Sequence, residues 1–311
     1  MNEEDRKSRF VGSLVGGLVG CAVGGPCVWM SPSQVRIKYA GLEELIGGGQ
    51  LGLRPGEITD KGGLLLAVVE SLLSAGGYDL EASIRAQLAW LEGWDREVEG
   101  GVAEARLFLE NGGKPAELPE HLKSVPLGAV TDPGTSPLCR SLGPAYWFPP
   151  SPPRPLCEAV IQECSWSRPG EEIRTAGAFL ALFLSLLLEG EPLEEKTYRK
   201  AEDLLVEADL GLYPMLTDPF SWAPHPDHPT PREPLGLASS VFSLLFRKKG
   251  YEETVRTVAG LGGPADTAAC LAGALAGAGG GAERIPERWW RRVREVPKAR
   301  HLALKLAERR A

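Results

Sequence analysis

The stretch LGGPADTAACLAGALAGAGGG, residues 261–281, decides the fold. Alanine favours a helix, yet Ala and Gly remove little apolar area from water, so this helix cannot hold itself down as a Leu-rich one does. Its only charge is Asp266. Small residues are useful where a second backbone must come close, and a second stretch of the same kind stands at the other end of the chain. FVGSLVGGLVGCAVGGPCVWM, from Phe10 to Met30, is 21 uncharged residues with Gly12, Gly16, Gly20 and Gly24 recurring every four. Residues four apart lie on one helix face, so Gly16 with Gly20 and Ala272 with Ala276 are expected to mark close helix crossings in the core. The same apolar run has the length of a membrane span with GxxxG packing. Its high Gly content, Pro26 near its end and a charge-balanced leading segment MNEEDRKSR favour instead a central helix buried on all sides, with no membrane partner.

Composition narrows the function classes. The 311 residues are 43% hydrophobic, enough for a substantial core, and carry a net charge of −7. With a pI near 5.4, the chain is not expected to bind nucleic acid, which demands clustered Lys and Arg to neutralise phosphates. Ten Arg and Lys against three acids do gather between Arg284 and Arg310, and they read as two closing helices with solvated basic faces. Cysteines 21, 27, 139, 157, 164 and 270 form no CxxC pair, so free thiols in a reducing cytoplasm are expected.

Apolar residues at three-to-four spacing, with Gly at the ends, run through residues 59–77, 78–94, 101–113, 173–190, 194–211, 235–250 and 251–263. No alternating strand pattern stands out. Two stretches break the texture, Pro144–Pro155 with six prolines and Pro214–Pro234 with seven; proline denies a helix interior its hydrogen bond, so these read as ordered loops or flaps beside a site. The expectation is one all-α domain over residues 1–311, a compact multi-helix bundle.

Two turns carry the candidate chemistry: EITDKGG, with Thr59 and Asp60, and GGPADTAA, with Asp266 and Thr267. Each opens a helix, and as N-caps alone these residues would need no further explanation. Alternatively their hydroxyl and carboxylate oxygens converge into the hard oxygen site that Mg²⁺ or Mn²⁺ prefers.

The order of a Gly-patterned first helix ending in GGP, an ITD turn opening a long helix, and a late GG-x-x-DT-A-A-x-x-AGALAGA helix resembles the ADP-ribosylglycohydrolase family. DPGTSPLCRSLGP at 132–144 is similar to that family's Gly-Asn-Gly…Arg…Pro segment, and CSWSR at 164–168 sits where a Thr-His is common. The resemblance spans roughly residues 8–290. It implies an all-α bundle in which the small-residue helices cross at the centre, and turns that meet at a two-metal site orienting an ADP-ribose for attack by water. It also implies metal ligation by Thr59, Asp60, Asp266 and Thr267, and ligand contacts from Gly24, Gly25, Gly134, Ser136, Arg140, Gly262 and Gly263; Lys61, beside Asp60, is a further candidate ligand contact by its position and charge.

The departures from the pattern cluster at the site. Lys61 and Pro264 stand where two further metal-binding aspartates are usual, Cys21 where an Asp is usual, Val28 where a substrate-side Glu is usual, and Arg168 where a His is usual. Two divalent ions carry a charge of +4 that two carboxylates do not balance, so the standard dinuclear mechanism is expected to be lost or altered. An ammonium from Lys61 between Asp60 and Asp266 would hold the turns together without metal, unless its stem carries the charge out to solvent. The expected cofactor is none, or a single Mg²⁺ or Mn²⁺.

Two functions follow. One is a binding protein for an ADP-ribosyl or related nucleotide-sugar ligand, free or on a modified protein. The other is a hydrolase of N- or O-glycosidic bonds with Asp60 or Asp266 as base. Other candidates are weaker: His225, Asp227 and His228 in HPDHP as metal ligands or exposed loop residues, GGGQLG without a P-loop's Lys, Trp289 and Trp290 as packing for the last helices, and Tyr146, Trp147 and Phe148 as a stacking surface or core.

Overall fold

The computed structural model describes residues 1–39, 41–125, 134–212 and 228–310. Among these the three-to-four apolar spacing folds into fifteen α-helices, and the one β-pairing is an isolated bridge between Gly48 and Leu53. In chain order they are α1 (Glu3–Gly24), α2 (Pro32–Lys38), α3 (Asp60–Ala75), α4 (Leu80–Leu91) and α5 (Gly100–Glu110). There follow α6 (Leu118–Ser124), α7 (Pro137–Arg140), α8 (Pro153–Ser165), α9 (Glu171–Leu188) and α10 (Glu195–Glu207). The last five are α11 (Pro234–Arg247), α12 (Tyr251–Gly260), α13 (Ala265–Gly280), α14 (Glu287–Trp290) and α15 (Val296–Arg309).

The opening stretch is α13, and it lies against α1 backbone to backbone. A Cβ added at Gly12, Gly16, Gly20 or Gly24 would overlap the main chain at Gly277, Gly273, Ala269 and Ala265 respectively. The two helices therefore run antiparallel with a four-residue repeat on each. Gly16 and Gly20 are at the crossing as expected, whereas Ala272 and Ala276 are buried one position beside it. One residue is about 100° around a helix, and at Gly273 and Gly277 a Cβ would in turn overlap the main chain of Gly16 and Gly12. The Tyr251 hydroxyl bonds the Gly16 carbonyl at 2.6 Å from the side. α1 is long and apolar enough to cross a membrane, but its apolar window is wholly buried inside this bundle.

Around the crossing α9 supplies the Leu- and Phe-rich wall, with Phe179 and Phe183 packed edge-on against Tyr198 of α10 and Phe242 of α11. The first Pro-rich stretch is an ordered loop only in part: residues 147–152, with Pro149, Pro150 and Pro152, are irregular, whereas Pro144 lies in a 3-10 turn, Gly143–Tyr146, and Pro153 opens α8. Proline is compatible with a first helical turn, where its missing N–H would have no partner. Of the second stretch, residues 213–227 lie outside the described residues, so His225 and Asp227 do too; His228 is exposed and Pro234 opens α11. The aromatic trio is engaged within the fold. Tyr146 is fully buried with its hydroxyl 2.7 Å from Ser13, and the Trp147 ring is covered by the Arg309 guanidinium. Trp289 is buried, its indole N–H donating to Glu43, and Arg291 and Arg300 lie over Trp290.

Candidate functional site

The two candidate turns meet because the helices they open are held at the central crossing. Thr59 is the N-cap residue of α3 and its side chain makes no capping bond. Its hydroxyl donates instead to Asp266 Oδ2 at 2.8 Å, across 207 residues of sequence. Asp266 Oδ1 accepts the Thr267 N–H at 2.8 Å. Asp60, next to Thr59, holds the Lys61 ammonium at 3.0 Å, with only 12% of the Lys61 side chain exposed. Lys61 thus turns inward to a carboxylate and not out along its stem to solvent. Thr59, Asp60, Asp266 and Thr267 are all buried.

Asp60, Lys61, Pro264, Asp266 and Thr267 line one narrow cleft of about 60 Å³, closed on its other sides by Val28, Trp29, Leu51 and the segment Glu97–Glu99. The two departures in the first helix region face this place. Cys21 exchanges contacts with Thr59, its thiol 3.1 Å from the hydroxyl and 3.3 Å from the Thr59 N–H that donates to it. Burial, with Asp266 close by, pushes the Cys21 thiol far up, so it stays neutral. Val28 presents a methyl-bearing wall where a carboxylate was the family's expectation.

The remaining expected ligand residues are placed beside or behind the cleft and do not line it. Gly24 packs on Ala265 and Gly25 on Leu53 and Thr59. Gly262 and Gly263, both with positive φ, shape the turn before α13, where the Trp29 N–H donates to Gly263 and the Gly263 N–H to Met30. Gly134 lies against the Arg168 guanidinium, and Ser136 is buried with its hydroxyl unbonded. Arg140 is completely buried. Its Nε is 3.2 Å from the equally buried Glu163, its Nη2 donates to Ser167, and its guanidinium lies over Trp166. Glu163 also accepts from Ser83, Gln87, Tyr78 and Trp166, so Arg140 belongs to a polar network joining α4, α7 and α8.

Sequence reasoning missed Glu99. It is 3% exposed and brings a further carboxylate to the cleft from the turn before α5. The Gly-Gly after it was the available signal: Gly101 packs on the Ser167 carbonyl with no room for a Cβ, which fixes where Glu99 enters. The lining therefore holds four carboxylates, Asp60, Asp266, Glu97 and Glu99, and one cation, Lys61.

The oxygens do not fit a pair of divalent ions. Thr59 and Asp266 are spent on each other, Asp60 is spent on Lys61, and among the described residues no three His, Cys, Asp or Glu side chains converge as ligands. An ammonium beside Asp60 also repels a cation there.

Comparison with known proteins agrees with this geometry in fold. The ADP-ribosylglycohydrolase family pattern matches residues 2–311. The chain is 24% identical over 282 residues to the ADP-ribosyl-[dinitrogen reductase] glycohydrolase of Rhodospirillum rubrum, covering 90% of this chain and 88% of that one. It is 21% identical over 311 residues to the ADP-ribosylarginine hydrolase Tri1 of Serratia proteamaculans (strain 568), covering 98% and 80% respectively. A solved ADP-ribosylglycohydrolase-related protein complex superposes with a TM-score of 0.78 at 26% identity, covering 98% of this chain and 99% of that chain. Family members are typically Mg²⁺-dependent hydrolases, and the relatives cleave ADP-ribosyl bonds. With the family pattern matched over nearly its whole length and the fold shared with a solved relative, this chain belongs to the ADP-ribosylglycohydrolase family.

Proposed function

We propose that this protein binds an ADP-ribosyl or closely related nucleotide-sugar group at the cleft between the Thr59–Lys61 and Pro264–Thr267 turns, and that the family's two-metal hydrolysis is lost or altered there. The observation that carries the reading is the buried arrangement in which Thr59 bonds Asp266 and Asp60 bonds Lys61. In this reading the two turns form the ligand's end of the fold, and the Lys61 ammonium beside Asp60 supplies positive charge of the kind that a metal otherwise brings. The names of the relatives, one acting on ADP-ribosyl-dinitrogen reductase and one on ADP-ribosylarginine, support an ADP-ribosylated protein side chain as partner. A cluster of four carboxylates and one cation suits the cationic side of such an adduct better than its diphosphate. Six buried free thiols support a cytoplasmic setting.

A second reading, an active hydrolase working with one metal or none, is favoured by Glu99. Glu99 brings a further buried carboxylate to the cleft beside Asp60 and Asp266, and a carboxylate there can take a proton from water.

Calorimetric titration with ADP-ribose in EDTA, together with release of ADP-ribose from ADP-ribosylarginine, tests both. Binding without turnover is the expected result. Turnover in EDTA that Glu99→Gln abolishes establishes the second reading, turnover that requires Mn²⁺ overturns the metal-free centre, and no binding under any condition overturns the ligand.

A further inference from the structure

At about 60 Å³ the cleft has room for one or two water molecules. Sites for small-molecule ligands measure roughly 300–1,000 Å³, so a nucleotide sugar enters only if a wall moves. The walls are unequal. The start of α13 is held by its backbone-to-backbone crossing with α1, and the start of α3 by the packing of Gly62 on Cys21 and Leu18 of α1 and by the Thr59–Asp266 bond. The opposite wall is the connection between α4 and α5, which carries Glu97, Val98 and Glu99 into the cleft.

Arg96 fastens that connection. Its Nε donates to the Leu51 carbonyl at 2.7 Å, Nη1 to Glu57 Oε1 at 2.9 Å and Nη2 to Glu57 Oε2 at 3.3 Å, and its guanidinium lies 4.8 Å from the Trp94 ring centroid. Glu57 is preset for this fork, because Oε2 also accepts the Arg54 N–H at 2.7 Å. Leu51 is itself a cleft wall, and Glu57 stands two residues before Thr59. The one side chain thus ties the moving wall to the chain that leads into the site. The far end is anchored where Gly101 packs on Ser167, and the near end is Gly93, at the close of the α4 turn.

We propose that residues 93–99 form a lid over the cleft and that the Arg96–Glu57–Leu51 contact is its latch, setting the fraction of molecules open to ligand. The proposal rests on the ligand reading above. A site open only part of the time has its apparent affinity reduced by that fraction, and releasing the latch removes the reduction. Both Arg96 and Glu57 are about one-quarter exposed, so the latch can break without uncovering the core.

Hydrogen exchange by mass spectrometry and stopped-flow ADP-ribose binding test it in the wild type, Arg96→Ala, Glu57→Gln and the conservative Arg96→Lys. Arg96→Ala is expected to speed amide exchange in 93–99 and raise the association rate on the order of tenfold, with exchange in α13 unchanged. Glu57→Gln and Arg96→Lys should fall between. Unchanged exchange and association in Arg96→Ala, or a slower association, overturns the latch. Faster exchange in α13 as well means loss of general stability, in which case Glu57→Gln decides: localised opening upholds the latch, and none overturns it. Should ADP-ribose bind no variant, the ligand reading fails by itself, and localised exchange still upholds or overturns the latch.

Discussion

Thr59 and Asp266 share a 2.8 Å hydrogen bond in which the hydroxyl donates to a carboxylate. Both residues are buried at the starts of helices, α3 and α13, that also each pack against α1. Replacing Thr59 by Val keeps the shape and removes the donor, leaving a buried carboxylate oxygen short of a partner. The cost is expected at about 1–3 kcal/mol, read from urea denaturation; an unchanged midpoint would mean the bond contributes nothing net.

The crossing itself is testable with single methyl groups. Gly20→Ala would drive its Cβ into the Ala269 carbonyl and is expected to destabilise by at least about 1–3 kcal/mol. Gly260→Ala, at the end of α12 where nothing lies within 4 Å, should be neutral or stabilise by a few tenths of a kcal/mol. Equal thermal midpoints for the two variants would refute the close approach.

Arg140 and Glu163 form an ion pair with neither side chain exposed. Arg140→Met leaves the carboxylate buried without its cation, a loss expected at about 3–5 kcal/mol. A chemical-denaturation difference well below that range would show that the Ser83, Gln87, Tyr78 and Trp166 donors suffice without the arginine.

Divalent metal should barely stabilise the wild type, because Lys61 holds Asp60 and Pro264 brings no carboxylate. A complete site would gain about 4 kcal/mol at a thousandfold excess of ligand over Kd. Lys61→Asp alone should respond weakly, and Lys61→Asp with Pro264→Asp measurably. A large Mn²⁺-dependent rise in the wild-type Tm defeats the resident-cation reading, and no rise in the double variant means the remodelling extends to Cys21 and Val28.

Alkaline pH should loosen the fold. Burial raises the thiols of Cys27 and Cys157 from 9.0 to about 12. A raised thiol value favours the neutral form in the folded state, so this stability is full below pH 9.0 and is lost as pH climbs toward 12. Denaturation midpoints across that window should fall more steeply in the wild type than in Cys27→Ala with Cys157→Ala; parallel curves would rule the thiols out.

By itself the sequence determined the helical class, the small-residue faces of the first and the late helix and the two turns that open helices, since four-residue spacing sets a helix face, glycine permits close approach, and Asp beside Thr opens a helix. That the two helices pair and the two turns meet is an expectation from the family resemblance, because segments far apart in the chain carry no local signal of each other. Only the tertiary structure decided which atoms those turns spend on each other. Whether Lys61 points inward to Asp60 or out to solvent is a choice between two rotamer families that no pattern in the chain distinguishes. It decided also that the crossing on α13 runs through Gly273 and Gly277, since the rotation of one helix against another is set by packing from all sides. Glu99 and Arg96 escaped notice for the same reason. They sit in an irregular connection without period, and their proximity to the cleft depends on how α4 and α5 pack against the rest of the fold.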